Sequence, residues 1–167
     1  MIVVIPNGRA MKNDRAEGNL FDDDKIYAFE NFENDLLNDL IPFIESHYPV
    51  QKNPESRAVT GLSMGGGQAL NFGLANLYMF SWIGGFSPAP NLELPETLVP
   101  DPKKAGENLN LLWISCGEKD PLLNVSEQMH DYLVLNHVPH IFQVEPGSHD
   151  FDVWRNDLYF FTQLLFK

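Results

Sequence analysis

The chain has 167 residues, enough for one domain with its own core, and we expect residues 1–167 to form a single domain. Hydrophobic residues make up 44% and aromatic residues 12% of the sequence, a composition that argues against disorder. The formal net charge of −12 would repel phosphate backbones and anionic lipids, so the sequence predicts no nucleic-acid partner and no role at a membrane.

The N-terminal third of the chain predicts a strand, a loop and a helix. Ile2–Ile5 is a run of β-branched residues that ends at Pro6-Asn7-Gly8, as for a strand buried on both faces. Residues 9–26 are polar and acidic and predict a long loop. From Phe29 to Ser46, apolar residues fall on one helical face, and Pro42 inside this pattern should kink or divide the helix.

The rest of the chain alternates strands with helices. Residues 88–108 hold five prolines and predict an irregular loop. Strands that alternate with helices imply a mostly parallel sheet covered on both faces, so we expect an α/β fold of about five strands. Functional loops in such folds follow the carboxyl ends of the strands. Beyond Ile2–Ile5, the predicted strands are 57–62, 80–86, 111–116 and 140–144, and the predicted helices are 64–77, 125–136 and 151–166.

The second predicted strand runs into the motif Gly61-Leu62-Ser63-Met64-Gly65. A serine on a sharp strand-to-helix turn has strained dihedral angles and brings its neighbours close together, which glycine tolerates because it lacks a Cβ. The hydroxyl then protrudes beside a helix N-terminus that favours negative charge. The motif predicts Ser63 as a nucleophile and the N–H of Met64 as an oxyanion donor. The alternative interpretation is a glycine-rich turn with a bystander serine.

Two later loops offer partners for this serine. A serine nucleophile needs a histidine base that is itself oriented by a carboxylate. Asp120 and His149 each follow a predicted strand, in the chain order serine, acid, histidine. Glu118 is an alternative acid but is expected to be a charge of the loop rim. Asp150 and Asp152 are expected to cap the last helix.

The single cysteine and the remaining histidines carry no predicted chemistry. Cys116 lies in an apolar strand, so we expect a buried and unreactive thiol, and one cysteine allows no intramolecular disulfide. The histidines lack the H-x-x-x-H spacing of a zinc site, and no metal and no cofactor is predicted. We expect surface or core positions for the other four histidines: His47, His130, His137 and His140.

Four segments together resemble the esterase D-like group of α/β-hydrolases, and in particular the feruloyl esterase domains attached to bacterial xylanases (carbohydrate esterase family 1). They are 61–68, 116–120, 147–154 and the helical stretch 32–45 with its proline. The resemblance implies an α/β-hydrolase-type sheet and a triad of Ser63, His149 and Asp120. It further implies cleavage of feruloyl or acetyl esters on plant cell-wall polysaccharide without a cofactor.

The resemblance leaves several alternatives open. The family suggests a secreted or periplasmic location, whereas Met1–Ile5 is too short and lacks the basic flank of a signal peptide. Other esters, such as S-formylglutathione or a siderophore ester, are alternative substrates. Trp154 is expected either to line the substrate pocket or to pack the last helix onto the sheet.

The N-terminus is where the chain departs from the family. Strands that precede Ile2–Ile5 in the family have no counterpart in this sequence, so the fold is expected to be incomplete there. We expect Ile2–Ile5 to pair directly with strand 57–62, or another chain of a homo-oligomer to cover that edge. A further alternative is a catalytically impaired fragment that lacks half of the oxyanion hole.

Overall fold

The computed structural model describes residues 1–13, 15, 17–19, 22–89 and 91–167. The chain divides into two compact units, Met1–Lys52 and Asn53–Lys167. The expected single domain over residues 1–167 stays a prediction. No helix in the described part of the chain is long and apolar enough to cross a lipid bilayer.

The first unit contains a helical segment that changes its winding halfway. Helix α1 (Asp23–Asp35) leads into a π-helical turn (Leu36–Leu40), and α2 (Ile41–His47) follows. The Ile41 N–H bonds the carbonyl of Leu36, five residues back. Pro42 accounts for this widening, because its ring would clash with the carbonyl of an ordinary helical turn and it has no N–H to donate. The predicted division at Pro42 therefore appears as a π turn, and the helix begins inside the predicted loop 9–26.

The second unit holds a parallel sheet of four strands in the order β1-β2-β3-β4. Its register pairs Leu62 with Phe86, Phe86 with Ser115 and Gly117 with Glu145. The carboxyl ends of all four strands therefore lie along one edge, which brings the loops that follow them together. The strands are β1 (Ala58–Leu62), β2 (Trp82–Phe86), β3 (Leu111–Gly117) and β4 (Ile141–Glu145).

Ile2–Ile5 forms no strand, which corrects the expected fifth strand and its pairing with strand 57–62. The five residues Met1 to Ile5 are all exposed, Ile5 by 89%. A β-branched run gains strand stability from packing and from cross-strand partners rather than from the backbone alone. With the sheet built from four other strands, local β propensity alone does not make this run a strand.

Short helices replace part of the loop predicted over residues 88–108. In each of these helices, Pro95–Leu98 and Pro102–Asn108, a proline occupies the first helical turn. The missing N–H of the proline would have no intrahelical partner at that position anyway. Asp101 also accepts a hydrogen bond from the Lys104 N–H at 3.0 Å and so caps the second one. The helices of this unit are α3 (Met64–Ala75), α4 (Pro95–Leu98), α5 (Pro102–Asn108), α6 (Leu123–Leu135) and α7 (Phe151–Leu164), with a 3₁₀ turn at Pro54–Ser56.

One hydrophobic cluster of this unit lies between the two central strands and α7. Every residue of β2 and β3 is buried, as a parallel sheet covered on both faces requires. From α7, the fully buried ring of Phe161 meets Phe86 and Trp113 edge-on, with ring centroids 5.8 Å and 6.4 Å apart. This packing holds α7, which begins two residues after His149, against the sheet.

Candidate active site

Ser63 lies on a strained turn between β1 and α3. Its φ of 52° and ψ of −122° are a conformation that non-glycine residues rarely adopt. The end of β2 holds the turn from both sides. The Ser63 N–H donates to the Phe86 carbonyl at 2.9 Å, and the Ser63 carbonyl accepts from the Ala89 N–H at 3.0 Å. Backbone hydrogen bonds to the last residue of β2 and to the segment after it thus stabilise the strained turn at Ser63.

Gly61 makes this turn sterically possible. A Cβ at position 61 would overlap the backbone carbonyl of Gly65, whereas a Cβ at Gly65 would meet open space. We expect Gly61→Ala to lower the free energy of unfolding by about 1–3 kcal/mol and to displace Ser63, because backbone atoms must move apart. Gly65→Ala is the matched control. It should leave stability unchanged or raise it by up to about 1 kcal/mol, because alanine favours the helical backbone. Urea unfolding of both variants checks this, and equal losses would contradict it.

His149 links the serine to an acid. Its Nδ1 lies 2.8 Å from Asp120 Oδ2, and its Nε2 lies 2.9 Å from Ser63 Oγ. An ionised carboxylate only accepts hydrogen bonds, so Nδ1 carries the ring proton and Nε2 presents its lone pair to the serine hydroxyl. The structure therefore brings Ser63, His149 and Asp120 together in the arrangement of a base between a nucleophile and an orienting acid.

The two loops that carry His149 and Asp120 are tied to each other. The Lys119 N–H donates to the Gly147 carbonyl at 2.9 Å, and the Ser148 hydroxyl donates to the Lys119 carbonyl at 3.2 Å. These bonds cross between the loops after β3 and β4. They hold the loop that carries Asp120 against the loop that carries His149, independently of the contact between those two side chains.

Asp120 is buried and well supplied with donors. Its Oδ1 accepts from the Leu122 N–H at 2.8 Å. Burial would raise the pKa of Asp120, but the hydrogen bonds from Leu122, from the Ser87 hydroxyl and from His149 outweigh it and lower that pKa. The carboxylate therefore stays ionised at neutral pH, as an acid that orients a histidine must.

The alternative acids lie elsewhere. The Glu118 side chain is 48% exposed and pairs with Lys119 at 3.4 Å. Asp150 caps α7 by accepting from the N–H groups of Asp152 and Val153 at 3.0 and 3.2 Å. Asp152 extends into solvent and pairs with an arginine of the same helix. Neither Asp150 nor Asp152 occupies the place beside Nδ1 that Asp120 takes.

Met64 and Trp154 complete the predicted set. Met64 is the first residue of α3, so its N–H belongs to the donors that lack an intrahelical acceptor. Trp154 is buried, and its indole ring and the His149 ring lie edge to face with centroids 4.8 Å apart at 88°. Its N–H donates to Ser87 Oγ at 3.0 Å. The pocket-lining role of Trp154 stays a prediction, and its observed contacts lie behind the triad.

Sequence reasoning missed Ser87. This serine is fully buried, follows the last residue of β2, accepts a hydrogen bond from Trp154 and lowers the pKa of Asp120. The one available signal was its position, since it directly follows a strand whose carboxyl end lies between the nucleophile and the acid. Nothing in the local pattern of residues distinguishes it from a capping or turn serine.

The other titratable groups lie outside the triad. His130 and His140 bond each other at 2.8 Å, and burial, opposed by the Val138 carbonyl, lowers the pKa of His140. Cys116 is buried. Among the described residues, no group of three or more histidine, cysteine, aspartate or glutamate side chains is arranged to hold a metal ion.

Comparison with known proteins places this geometry in context. A family model described as "Putative esterase" matches residues 1–161. An endo-1,4-beta-xylanase/feruloyl esterase of Xylanibacter ruminicola is 26% identical over 141 residues. The structure of a CE1 ferulic acid esterase from Anaeromyces mucronatus, in complex with ferulic acid, is 25% identical with a TM-score of 0.78. The S-formylglutathione hydrolase FrmB of Staphylococcus aureus, 19% identical with a TM-score of 0.60, shares the fold.

The chain spans only part of these proteins. It aligns over 84% of its own length with 18% of the Xylanibacter protein, and over 87% with 58% of the Anaeromyces enzyme. For the Staphylococcus hydrolase the shares are 75% and 61%. The likeness nevertheless confirms the predicted fold class, a mostly parallel α/β-hydrolase-type sheet flanked by helices.

Proposed function

Because this chain belongs to the esterase family, we propose that it is a serine carboxylesterase in which Ser63, His149 and Asp120 form the catalytic triad. One observation carries the proposal: the two ring nitrogens of His149 lie at hydrogen-bond distance from a carboxylate on one side and a serine hydroxyl on the other. A surface histidine rarely contacts both a carboxylate and a serine hydroxyl, and a hydrolase with a serine nucleophile needs both contacts.

The first half of the reaction transfers the acyl group to the protein. Ser63 Oγ attacks the ester carbonyl carbon while His149 Nε2 takes the hydroxyl proton. The carbonyl oxygen becomes an oxyanion beside the N–H of Met64, at the N-terminus of α3. A preorganised donor of this kind is worth roughly 3 kcal/mol of barrier. His149 then gives its proton to the leaving alcohol, and the acyl group remains as an ester of Ser63.

The second half repeats these steps with water. His149 Nε2 accepts a proton from the attacking water, and the same backbone donor stabilises the second oxyanion. Collapse of this intermediate releases the carboxylic acid and returns the proton to Ser63 Oγ. The Asp120 carboxylate stays ionised throughout and stabilises the imidazolium that forms in both halves, so no cofactor takes part.

We place the substrate among acyl esters of plant cell-wall polysaccharide, of the feruloyl or acetyl type. The support is the activity of the relatives, a xylanase/feruloyl esterase and a ferulic acid esterase bound to ferulic acid. Feruloyl and acetyl groups carry no charge of their own, which suits a chain with a formal net charge of −12.

A fluorophosphonate probe tests whether Ser63 is activated. We expect stoichiometric labelling of the folded chain and complete loss of labelling in Ser63→Ala, because only an activated serine reacts with this electrophile. The matched control Ser115→Ala changes a fully buried serine of β3 and should label normally. Labelling that survives in Ser63→Ala would refute the nucleophile assignment.

A substrate panel then separates the esterase classes. Methyl ferulate, acetylated xylan, S-formylglutathione and 4-nitrophenyl acetate are compared at one enzyme concentration. Preference for methyl ferulate or acetylated xylan supports the cell-wall proposal, and preference for the thioester contradicts it. Labelling of Ser63 without turnover of any ester identifies the impaired form expected when an oxyanion donor is missing.

A further inference from the structure

A buried group of polar side chains lies directly behind the acid of the triad. Its centre is Ser87, which is fully buried and has a φ of 46°, in the left-handed region that non-glycine residues seldom occupy. The Ser87 N–H donates to the Ser115 carbonyl at 2.7 Å. A strained backbone conformation persists only where the surrounding structure holds it. Such residues cluster at active sites and ligand-binding sites.

Two side chains, Trp154 and Cys116, lie in hydrogen-bond geometry with the Ser87 hydroxyl. A hydroxyl has one proton to donate and two lone pairs to accept with. The Trp154 indole N–H donates to Ser87 Oγ at 3.0 Å, and the Cys116 thiol donates to it at 3.7 Å. Burial raises the pKa of the Cys116 thiol to about 11, so the thiol keeps its proton and remains a donor at neutral pH.

With both lone pairs occupied, the Ser87 proton has one remaining direction. The group on that side is the Asp120 carboxylate, whose pKa the Ser87 side chain lowers. A hydroxyl whose oxygen already accepts two hydrogen bonds is a polarised and oriented donor. Asp120 thus has the backbone N–H of Leu122 and the His149 ring as donors, with the Ser87 side chain as a further group that lowers its pKa.

We propose that Ser87 and Trp154 are positioning residues of the triad, in which the indole N–H orients the Ser87 hydroxyl and that hydroxyl holds the Asp120 carboxylate toward His149. Trp154 also contacts the histidine directly, because its ring packs against the imidazole with the two ring centroids 4.8 Å apart. The inference rests on the proposed function, since positioning matters only if the triad is catalytic.

Removal of the Ser87 hydroxyl is expected to shift the pH dependence of the rate in one direction. The carboxylate loses one of the groups that stabilise its charge, so more of its negative charge is left to stabilise a protonated imidazole. The inactive, protonated form of the base then persists to higher pH, and the acid limb of the rate profile moves upward. Trp154→Phe keeps an aromatic ring beside His149 but removes the N–H, so its shift has the same sign and is smaller.

The experiment measures kcat, KM and the rate constant for fluorophosphonate inactivation of the whole chain from pH 5 to 9. For Ser87→Ala we expect kcat to fall about tenfold or more, as for loss of a hydrogen bond to a charged group, with KM nearly unchanged. The acid limb should move to higher pH.

The matched control is Ser115→Ala, since Ser115 is an equally buried serine at the same end of the sheet that is not a donor to Asp120. Titratable groups that act on Asp120 and Ser87 are His149, Cys116 and Asp150, and none of them changes in these variants.

The double variant Ser87→Ala/Trp154→Phe tests whether the two residues act in series. We expect it to match Ser87→Ala, because the indole N–H acts on Asp120 through the serine oxygen. If Ser87→Ala fails to fold, Trp154→Phe alone still has to move the acid limb. An unmoved acid limb in Ser87→Ala or Trp154→Phe, with kcat no lower than that of Ser115→Ala, would overturn the proposal.

A second readout separates this inference from the proposed function. The proton between His149 Nδ1 and Asp120 should give a downfield NMR signal, whose absence in His149→Gln would assign it. Loss or displacement of the signal in Ser87→Ala, but not in Ser115→Ala, supports the positioning role even if no ester is hydrolysed. An undisturbed signal in both variants counts against it, whereas absence of Ser63 labelling in the unmodified chain counts against the esterase proposal alone.

Discussion

Asp120→Asn is expected to lower kcat/KM for an activated ester by about 10⁴-fold while leaving the fold intact. The reason is the tautomer of His149. Its Nδ1–H donates to Asp120 Oδ2, with 2.8 Å between the nitrogen and the oxygen. Nε2 is then free to accept a hydrogen bond from Ser63. An asparagine amide can instead donate to Nδ1, and the ring proton then moves to Nε2, where it blocks transfer from the serine. Steady-state kinetics with 4-nitrophenyl acetate measures the loss.

The chain supplies a matched control for this substitution in the neighbouring loop. Asp150→Asn removes an equal charge next to His149, but Asp150 serves as the N-cap of α7, a role that asparagine fills equally well. We expect kcat/KM to change by less than about threefold, since an exposed charge is largely screened. If Asp150→Asn costs as much as Asp120→Asn, the acid of the triad has been assigned to the wrong carboxylate.

The second large effect concerns stability, and its source is Asp157 on α7. This side chain is fully buried, and within the described part of the chain neither carboxyl oxygen has a partner in hydrogen-bond geometry. Burial raises its pKa from 3.8 to about 7, with the nearby Ser115 hydroxyl opposing the rise and the charge of Glu145 adding to it. The folded state therefore binds a proton that the unfolded state releases at a much lower pH.

The sign of the pH dependence follows from linkage. Between pH 4 and 7 the folded chain holds more protons at Asp157 than the unfolded chain does, so stability falls as the pH rises through this window. The full difference in pKa corresponds to about 4 kcal/mol. Asp157→Asn keeps the shape and stays neutral. We therefore expect it to match the parent near pH 4 and to exceed its free energy of unfolding by up to about 4 kcal/mol above pH 8.

Urea unfolding at several pH values checks this expectation. Asp152→Asn is the control, because Asp152 lies on the same helix with its side chain 87% exposed. It should change stability by no more than about 1 kcal/mol at any pH. A constant difference between Asp157→Asn and the parent from pH 4 to 8 would show that Asp157 is not protonated by folding.

The parts of the fold and site that sequence reasoning predicted are those with a local signature. Gly61 and Gly65 flank Ser63 because a Cβ at the first of them has no room, and this requirement is visible in five consecutive residues. The strands that became β2 and β3 are continuous apolar runs, since both their faces are buried. Asp120 and His149 could be selected because loops after parallel strands converge at one edge.

The parts that failed depend on partners distant in sequence. Ile2–Ile5 has the composition of a strand but no place in the four-stranded sheet, and composition does not reveal what pairs with a run. Residues 95–108 were expected to be irregular because proline breaks helices, yet proline at a first turn begins one. Ser87 bonds Trp154 across 67 positions of sequence, and no local pattern encodes that contact.

Cys116 allows local opening of the folded chain to be measured. It is the single cysteine of the sequence, it is completely buried, and its pKa near 11 leaves almost no thiolate to react in the closed state. A thiol reagent can therefore modify it only when the buried region around Cys116 opens. The rate of that modification reports how often this region next to Asp120 opens, a local quantity that global unfolding cannot resolve.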